Sequence, residues 1–448
     1  MTTRTAIILA LLLAVPAWSQ VNTNGTDATA TPPDQAPATQ MLTPPPVNGQ
    51  PYPTVPTAEI RSNYLNLGLV FSTAYTDNVL AGLTPKAISD VSYSVWPSIA
   101  LDETTPRLHS LLTYSPGFTT YQRTGARNEA DENVAMEVEY RLSPHVTASL
   151  RDALQKSSNV FNQPNLLEAV PVYGSPQAAP VAVIAPLADR LTNTANAELT
   201  YQFSASGMIG ASGTFTNLHY PNPAQVPGLY DSGSRAGSAF YSRRVSRRHY
   251  VGALYQYSTI LAYPVRSQSE LDTHTVLAFY TVYLKPNLSL SLAGGPQHYD
   301  AAQTSMAPAR SWSPAATSSL GWQGHHTTFA ASYSRMMTNG GGLTGAFHLN
   351  SANASVSWQL ARTWNAGVAG SYAIYKTLTP FFLLSNAGGH TALGTVTLQH
   401  QIRGRFSAQL GYSRLHQSYG GIPAVATNPD TNREFISISY QFSKPLGR

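Results

Sequence analysis

Two short stretches of the sequence carry residue types that could do chemistry. The run GGGLTG at Gly340–Gly345 fits the spacing G-x-G-x-x-G, which in nucleotide-binding folds lets the backbone approach a pyrophosphate. That use needs a helix directly after the run, and no helical pattern follows, so a flexible loop is the better interpretation. His325 and His326 are adjacent, lack the i, i+4 spacing of two zinc ligands on a helix, and are expected to face solvent. These stretches therefore predict no cofactor, and we expect no enzyme, with a hydrolase assembled from separate strands as the less favoured alternative.

Basic residues form a second pattern: many of them lie in or beside the short turns that the sequence predicts. They are Arg141, Arg243, Arg244, Arg247, Arg248, Lys285, Arg362, Arg403 and Arg405. Acidic residues gather instead in the longer connections between these turns. A ring of cations at the mouth of a channel raises the local anion concentration and biases selectivity. Two interpretations stand: ordinary solvated turns, or a basic periplasmic mouth that draws anions into a polar lumen.

The elements that would position these residues are amphipathic strands. From Val134 to Leu142 apolar residues occupy the even positions, while Ala135, Glu137, Glu139 and Arg141 occupy the odd ones. A period of two defines a strand with one apolar face. A turn at 143–145 follows, and the alternation then resumes. The same unit recurs around Ser204, Arg247, Pro286, Gly324, Arg362 and Arg403, each time as a hairpin with a tight turn.

Long connections rich in Pro, Gly, Asn and Asp alternate with these short turns along the chain. This pattern is typical of an all-β, up-and-down antiparallel transmembrane β-barrel, with short periplasmic turns and long extracellular loops. We count about eighteen strands, with sixteen as the alternative, and expect strands of ~9–11 residues. The first lies near Tyr64–Tyr75, the second near Val91–Leu101 and the last near Glu434–Phe442. A soluble sandwich, propeller or solenoid would need more surface charge than the sequence offers.

Composition agrees with a membrane setting. The 448-residue chain has 11% charged residues and no cysteine, against roughly 25% charged residues in an ordinary soluble domain. No internal window reaches the ~18 apolar residues of a membrane-spanning helix. Arg4, the apolar run Ala6–Val15 and the small-residue pattern ending at Ser19 predict a signal peptide over 1–19. Residues 20–58 are Pro-rich and predict a disordered periplasmic linker, and 59–448 the outer-membrane barrel.

The predicted lumen face consists mainly of small and polar residues. Examples are Ser92, Ser94, Ser98, Thr200, Gln202, Ser289, Ser291, Ser332, Ser334 and Thr397. With this many strands the ring is wide enough for an aqueous channel unless a loop folds in. The longest connection, Lys156–Leu191, carries the apolar run Ala178–Ala185 and is the candidate constriction or plug. Packing of this run on neighbouring loops is the alternative.

The closing strand FISISYQF places Ile436, Ile438, Tyr440 and Phe442 on one face. Its aromatic end resembles the C-terminal signal that the barrel-assembly machinery reads, although a basic tail to Arg448 follows here. The start of the barrel, LNLGLVFSTAYTDNVLAG, and above all Tyr75–Val79, resembles the outer-membrane β-barrel porins of bacteria of the exopolysaccharide-associated type. That resemblance implies passage of solutes or polymer across the outer membrane.

The expected partners are outer-membrane lipid, the barrel-assembly machinery and, through the linker, periplasmic secretion components. Nucleic acid is disfavoured, because the basic residues lie at turns without a compact domain to carry them. The sequence does not specify an oligomeric state. Three functions remain open: a pore, a scaffold or adhesin with a blocked lumen, and an outer-membrane hydrolase whose site assembles from separate strands.

Overall fold

The computed structural model describes residues 63–446, apart from 82–83, 85, 126–127, 160, 162–186, 224–228, 264–268, 286, 304–307, 339–345, 378–387 and 420–429. The predicted signal peptide (1–19) and linker (20–58) therefore lie outside the described residues. So do the apolar run 178–185 and the glycine-rich run 340–345.

The described chain consists of strands that follow one another from end to end. They are β1 (Tyr64–Thr76), β2 (Asp90–Thr104), β3 (Leu108–Tyr121), β4 (Glu129–Ser143), β5 (Val146–Asn159), β6 (Leu187–Ser204), β7 (Gly207–His219), β8 (Ser232–Arg244), β9 (His249–Ala262), β10 (Ser269–Lys285), β11 (Leu288–Gln303), β12 (Ala309–Gln323), β13 (Thr327–Thr338), β14 (Phe347–Ala361), β15 (Trp364–Thr377), β16 (Gly389–Arg403), β17 (Phe406–Tyr419) and β18 (Thr431–Pro445). None of the described residues belongs to a helix long and apolar enough to cross a bilayer.

These strands close into one ring. Each pairs antiparallel with its neighbours in sequence, and β1 pairs with β18 from Tyr64↔Pro445 to Thr76↔Arg433. The fold is thus an 18-stranded up-and-down β-barrel, which confirms the larger of the two predicted strand numbers. The prediction of strands of 9–11 residues was wrong: β13 has 12 residues and β6 has 18.

The two rims differ as the sequence predicts. One carries the short turns between β2 and β3, β4 and β5, and so on to β16 and β17, together with Tyr64 and Pro445. We call it the short-turn rim. The other carries the longer connections, from 77–89 to 420–430, and we call it the long-loop rim.

A contact across the ring identifies the inward-facing positions. Phe161, just past the end of β5, lies against Arg433 of β18, with 5.6 Å between the guanidinium carbon and the ring centroid. In the ring β1–β4 separate β5 from β18, so the two side chains meet across the mouth and Arg433 faces in. Since opposite residues of an antiparallel pair share a face, the strand register extends this assignment around the barrel.

The outward positions form an apolar belt. Large apolar side chains on this face are exposed, among them Phe71, Ile99, Leu150, Leu199, Val276, Leu292, Val356, Val368, Val396, Leu410 and Ile436. Exposed aromatic residues lie nearer the strand ends, including Tyr75, Tyr93, Tyr140, Tyr201, Trp312, Trp322, Trp358, Trp364 and Tyr412. Soluble monomers rarely expose apolar patches beyond a few hundred Å². An apolar band between two aromatic girdles is the lipid-facing surface of a transmembrane barrel.

Small hydroxyl residues cover much of the inner wall. All ten residues predicted to face the lumen occupy inward positions, and many inner hydroxyls bond in cross-strand pairs. Examples are Ser94–Thr119 at 2.9 Å, Ser212–Ser238 at 2.7 Å, Ser258–Thr273 at 2.7 Å and Ser334–Ser351 at 2.6 Å. Paired in this way, the hydroxyl groups stay satisfied without projecting into the lumen.

Over β7–β12 the prediction of a small, polar inner wall was wrong. An apolar cluster lies there, formed by Met208, Phe240, Tyr250, Leu254, Leu277, Phe279, Ala293 and Ala315. Glycines on neighbouring strands make room for its rings, since a Cβ on Gly210 would lie 2.4 Å from the ring of Phe240. The same holds for Gly117 under Trp96 and Gly411 under Phe435. These aromatic rings lie flat on the wall because the glycine beneath them has no side chain.

Prolines interrupt the wall in opposed pairs. Pro296 and Pro314 face each other across β11 and β12. The β2–β3 ladder lacks pairs between Val95↔Phe118 and Ile99↔Tyr114, the interval that contains Pro97 and Pro116. Proline cannot donate to a ladder, so two opposed prolines confine the missing donors to one place. The hydroxyl of Ser115 donates to the freed Pro97 carbonyl at 3.3 Å.

Candidate pore and its two mouths

The predicted basic residues lie on the short-turn rim, spread around it rather than gathered in one cluster. Arg141, Arg247, Arg248, Arg362 and Arg405 are exposed in or beside turns. Arg107, in the turn between β2 and β3, is exposed at the same rim and escaped the sequence reasoning. Its turn is as short as the others, so turn length alone could have identified Arg107 as a member of the basic rim.

Several of these arginines do not simply face the lumen. Arg243 takes an outward position at the end of β8, while its neighbour Arg244 donates from Nη2 to the Ala205 carbonyl at 3.0 Å. The Arg405 guanidinium lies over the Phe442 ring, 5.1 Å from its centroid. For Arg403 the backbone ends β16, and its side chain lies outside what the structure describes. The rim is therefore basic, but only part of its charge points at the passage.

A charged patch that the sequence did not single out lies on the inner wall of β4–β6. Arg151 contacts Glu137 through Nε at 2.9 Å and Nη2 at 2.7 Å. Ser149 of β5 pairs with Glu139 on β4 and with Glu198 on β6, so these two glutamates flank it in the sheet. Three carboxylates thus share this part of the inward face with one guanidinium, and the side chains of Arg151 and Glu137 remain 43% and 34% exposed. Solvent in the lumen reaches a patch of net negative charge.

At the long-loop rim, the stretch Tyr75–Val79 closes the ring. The Asp77 carboxylate accepts from the Asn432 backbone N–H at 2.7 Å and from its side-chain amide at 2.6 Å. Asn78 donates to the Asp430 carbonyl at 2.8 Å, and Thr431 donates back to the Asn78 carbonyl at 3.2 Å. This stretch therefore joins the first strand to the last at one end of the β1–β18 seam.

Other acidic residues of the long-loop rim also bind backbone amides. Asp90 accepts from the amides of Arg123 and Thr124, at 3.0 and 2.7 Å. Asp131 accepts from the Ser158 amide at 2.8 Å, and Asp231 from the Tyr220 amide at 2.8 Å. Burial raises the pKa of the Tyr220 phenol to about 12, above its usual value of 10. These carboxylates therefore hold the backbone of the long-loop connections in place.

The connection after β5 begins by folding inward. The Asn159 side chain donates to the Tyr121 hydroxyl at 2.8 Å, across β4, and also accepts from the Phe161 amide at 2.9 Å. Phe161 then reaches Arg433, which also lies 5.9 Å from the Phe435 ring. The start of the predicted plug connection therefore narrows the long-loop mouth. Val79 and Tyr121 pack together beside it.

Neither histidine nor acidic residues form a metal centre in the part of the chain that the structure describes. Within those residues there is no group of three or more His, Cys, Asp or Glu side chains that could hold a metal ion. His325 and His326 lie exposed in the turn between β12 and β13.

Three solved structures align with most of this chain at low sequence identity. OccK2 (OpdF) of Pseudomonas aeruginosa aligns with a TM-score of 0.42 and 10% identity over 85% of this chain and 98% of that one. The FrpB iron transporter of Neisseria meningitidis gives 0.41 and 8% over 86% and 83%. Acinetobacter baumannii OccAB4 gives 0.40 and 10% over 88% and 100%. No family model matches the chain, and no curated protein matches its sequence.

Proposed function

We propose that this protein is an outer-membrane pore for small polar solutes. The observation that carries the proposal is the closed 18-stranded ring with an apolar belt outside and a hydroxyl-lined wall inside. Barrels of 16–18 strands enclose an aqueous channel unless a loop fills it. The first residue of β1, Tyr64, and the last residue of β18, Pro445, both lie at the short-turn rim, which supports periplasmic termini.

We further propose that ion selectivity is weak, because two charged regions oppose each other. Exposed arginines at the periplasmic mouth attract anions, as the sequence suggests. The patch of Glu137, Glu139, Glu198 and Arg151 attracts cations further inside. Charges at the open rim are screened over a Debye length of about 8 Å at physiological ionic strength, whereas charges on the inner wall are screened less.

Polysaccharide is the proposed larger cargo, since the family resemblance implies passage of polymer. A scaffold or adhesin with a blocked lumen is the second candidate, and the inward contact between Phe161 and Arg433 favours it. A hydrolase has no such supporting contact among the described residues. The assembly machinery and periplasmic secretion components remain proposed partners.

Planar-bilayer recording from the refolded barrel tests the pore. We expect steady openings and a reversal potential near zero in a tenfold salt gradient. Addition of a neutral polysaccharide of graded length should block the current if polymer enters. Silence from a barrel that is correctly folded by circular dichroism would overturn the pore and favour the scaffold.

A further inference from the structure

The turn between β8 and β9 carries the densest group of cations on the short-turn rim. Four arginines lie within six residues of sequence, and we call this group the basic turn. They are Arg243, Arg244, Arg247 and Arg248. The Tyr283 amide of β10 donates to the Arg248 carbonyl at 2.9 Å, which fixes the turn beside the end of β10. Lys285, the last residue of β10, is exposed there and adds a fifth cation.

No carboxylate neutralises this group. The sequence has no acidic residue between Asp231 and Glu270, and none between Asp272 and Asp300, so β8 and β9 with their turn contain none. The ion pairs of the described residues all lie elsewhere on the barrel. Apart from Arg244, which donates to the Ala205 carbonyl, the arginines of the basic turn are exposed. The turn therefore carries positive charge that is free to attract an anion.

The basic turn lies where the apolar belt ends. Arg243 takes an outward position and pairs with Val251, which pairs in turn with Tyr280. Tyr241, one outward position further into the belt, is exposed like these two partners. Val245, inside the turn itself, is 64% exposed. Aromatic residues at the end of the belt mark the depth of the lipid headgroups. Arg243 is thus an outward-facing cation at headgroup depth.

We propose that the basic turn binds the phosphate of an anionic phospholipid in the periplasmic leaflet. Guanidinium groups bind phosphate through paired, charge-assisted hydrogen bonds. The outward position of Arg243 favours a lipid over a solute inside the passage, and Val245, Val251 and Tyr280 offer an apolar surface for the acyl chains beside it. This inference rests on the proposed function, because that function places the short-turn rim on the periplasmic side.

Native mass spectrometry of the full barrel tests the inference. The barrel is placed in bilayer nanodiscs with equal amounts of phosphatidylglycerol and phosphatidylcholine that carry the same acyl chains, and the lipids that stay bound after release are counted. We expect an excess of phosphatidylglycerol. R243Q/R247Q/R248Q should lower that excess at least about tenfold, since each basic residue at an anionic surface contributes roughly a factor of five. Equal retention of the two lipids by the native barrel would overturn the site.

A second triple variant provides the matched control. R107Q/R362Q/R405Q removes the same charge from other turns of the same rim. It should keep most of the phosphatidylglycerol excess. An equal loss in both triple variants would mean that the total charge of the rim holds the lipid, and the basic turn would not be a site.

Inorganic phosphate distinguishes a lipid from a free anion. Added at equal concentration to every sample, it should leave most of the bound phosphatidylglycerol in place, because the acyl chains also contact the barrel. Complete displacement by inorganic phosphate would overturn the lipid site in favour of a site for soluble anions.

Conductance of the same samples separates this inference from the proposed pore. A barrel that conducts ions but retains no excess of phosphatidylglycerol overturns the lipid site alone. A barrel that retains the excess but never conducts overturns the aqueous pore and leaves the lipid site standing.

Discussion

At the scale of single residues, Asp77 holds the first and last strands together at the long-loop rim. Its two carboxylate oxygens hold the backbone and side chain of Asn432, so it joins β1 to β18. Replacing Asp77 with Ala leaves two buried or half-buried donors without a partner, and we expect a loss of about 1–3 kcal/mol in the free energy of unfolding. The urea midpoint of the refolded barrel measures this.

The variant D77N provides the internal comparison. It keeps one acceptor oxygen, so its urea midpoint should fall between those of the native barrel and D77A. Replacement of the exposed turn residue His325 with Ala should leave the midpoint unchanged. A D77A barrel as stable as the native one would mean that the seam does not depend on this carboxylate.

Gly411 controls how far Phe435 projects into the lumen. A Cβ at Gly411 would lie 2.2–2.9 Å from three atoms of the Phe435 ring and from no other group that close, so the ring is what must move. We expect Gly411→Val to swing the ring into the passage and lower single-channel conductance by about a third, as an estimate from ring size against a lumen of this class.

The second substitution F435A should restore the conductance of G411V, because it removes the displaced ring. Gly394→Val is the matched control, since a Cβ there meets nothing within 4 Å. Equal conductance in G411V and native barrels would show that the ring finds room along the wall.

At the scale of elements, the connection after β5 reaches across the mouth through Phe161. We expect Phe161→Ala to raise single-channel conductance, because it removes the ring that contacts Arg433 across the mouth. Phe118→Ala, on the lipid-facing side and 54% exposed, is the matched control. An increase in both variants would trace the effect to general loosening of the barrel rather than to the mouth.

The closing strand is the element that we expect the assembly machinery to recognise. On β18 the residues Ile436, Ile438, Tyr440 and Phe442 take outward positions, and Ile436 and Ile438 are 54% and 51% exposed. Phe442→Ala should lower the fraction of chain that reaches the membrane as heat-modifiable, folded barrel.

Phe406 offers a matched control for that experiment. It is exposed at the same rim and its ring lies 4.9 Å from that of Tyr440, but it belongs to β17. If F406A lowers the folded fraction as much as F442A, the loss reflects aromatic packing at the rim, and the role of β18 as a signal is wrong.

Strand order and strand faces could be predicted from the sequence because each depends on local alternation. The even positions Val134–Leu142 do face outward, and Glu137 and Glu139 face in. The contact of Phe161 with Arg433 could not be predicted, since it exists only after the ring closes. Likewise, alternation places Met337 on the outward face of β13, yet it is buried in a cluster with Ile260 and Leu271, a contact that only the folded barrel creates.

At the scale of the whole molecule, selectivity is the sum of two charged regions at different depths. Replacing Arg247 and Arg248 with Glu should shift the reversal potential toward cation preference. Replacing Glu137, Glu139 and Glu198 with Gln should shift it toward anion preference, and by more, because solutes pass this patch inside the lumen where salt screens less. Reversal potentials in a tenfold gradient of potassium chloride measure both shifts.

The variant Arg243→Glu distinguishes the effect of charge at the mouth from the effect of the protein's net charge on the reversal potential. It makes the same charge change at the same turn as Arg247 but from an outward position on β8. If selectivity follows the field within the passage, R243E shifts the reversal potential less than R247E alone. Equal shifts would mean that total protein charge, rather than charge facing the passage, sets the effect of the arginine rim. The size of the reversal-potential shift should therefore increase from R243E to R247E to the triple Gln variant. That order tests whether charges on the wall of the hydroxyl-lined pore act on the solutes inside it.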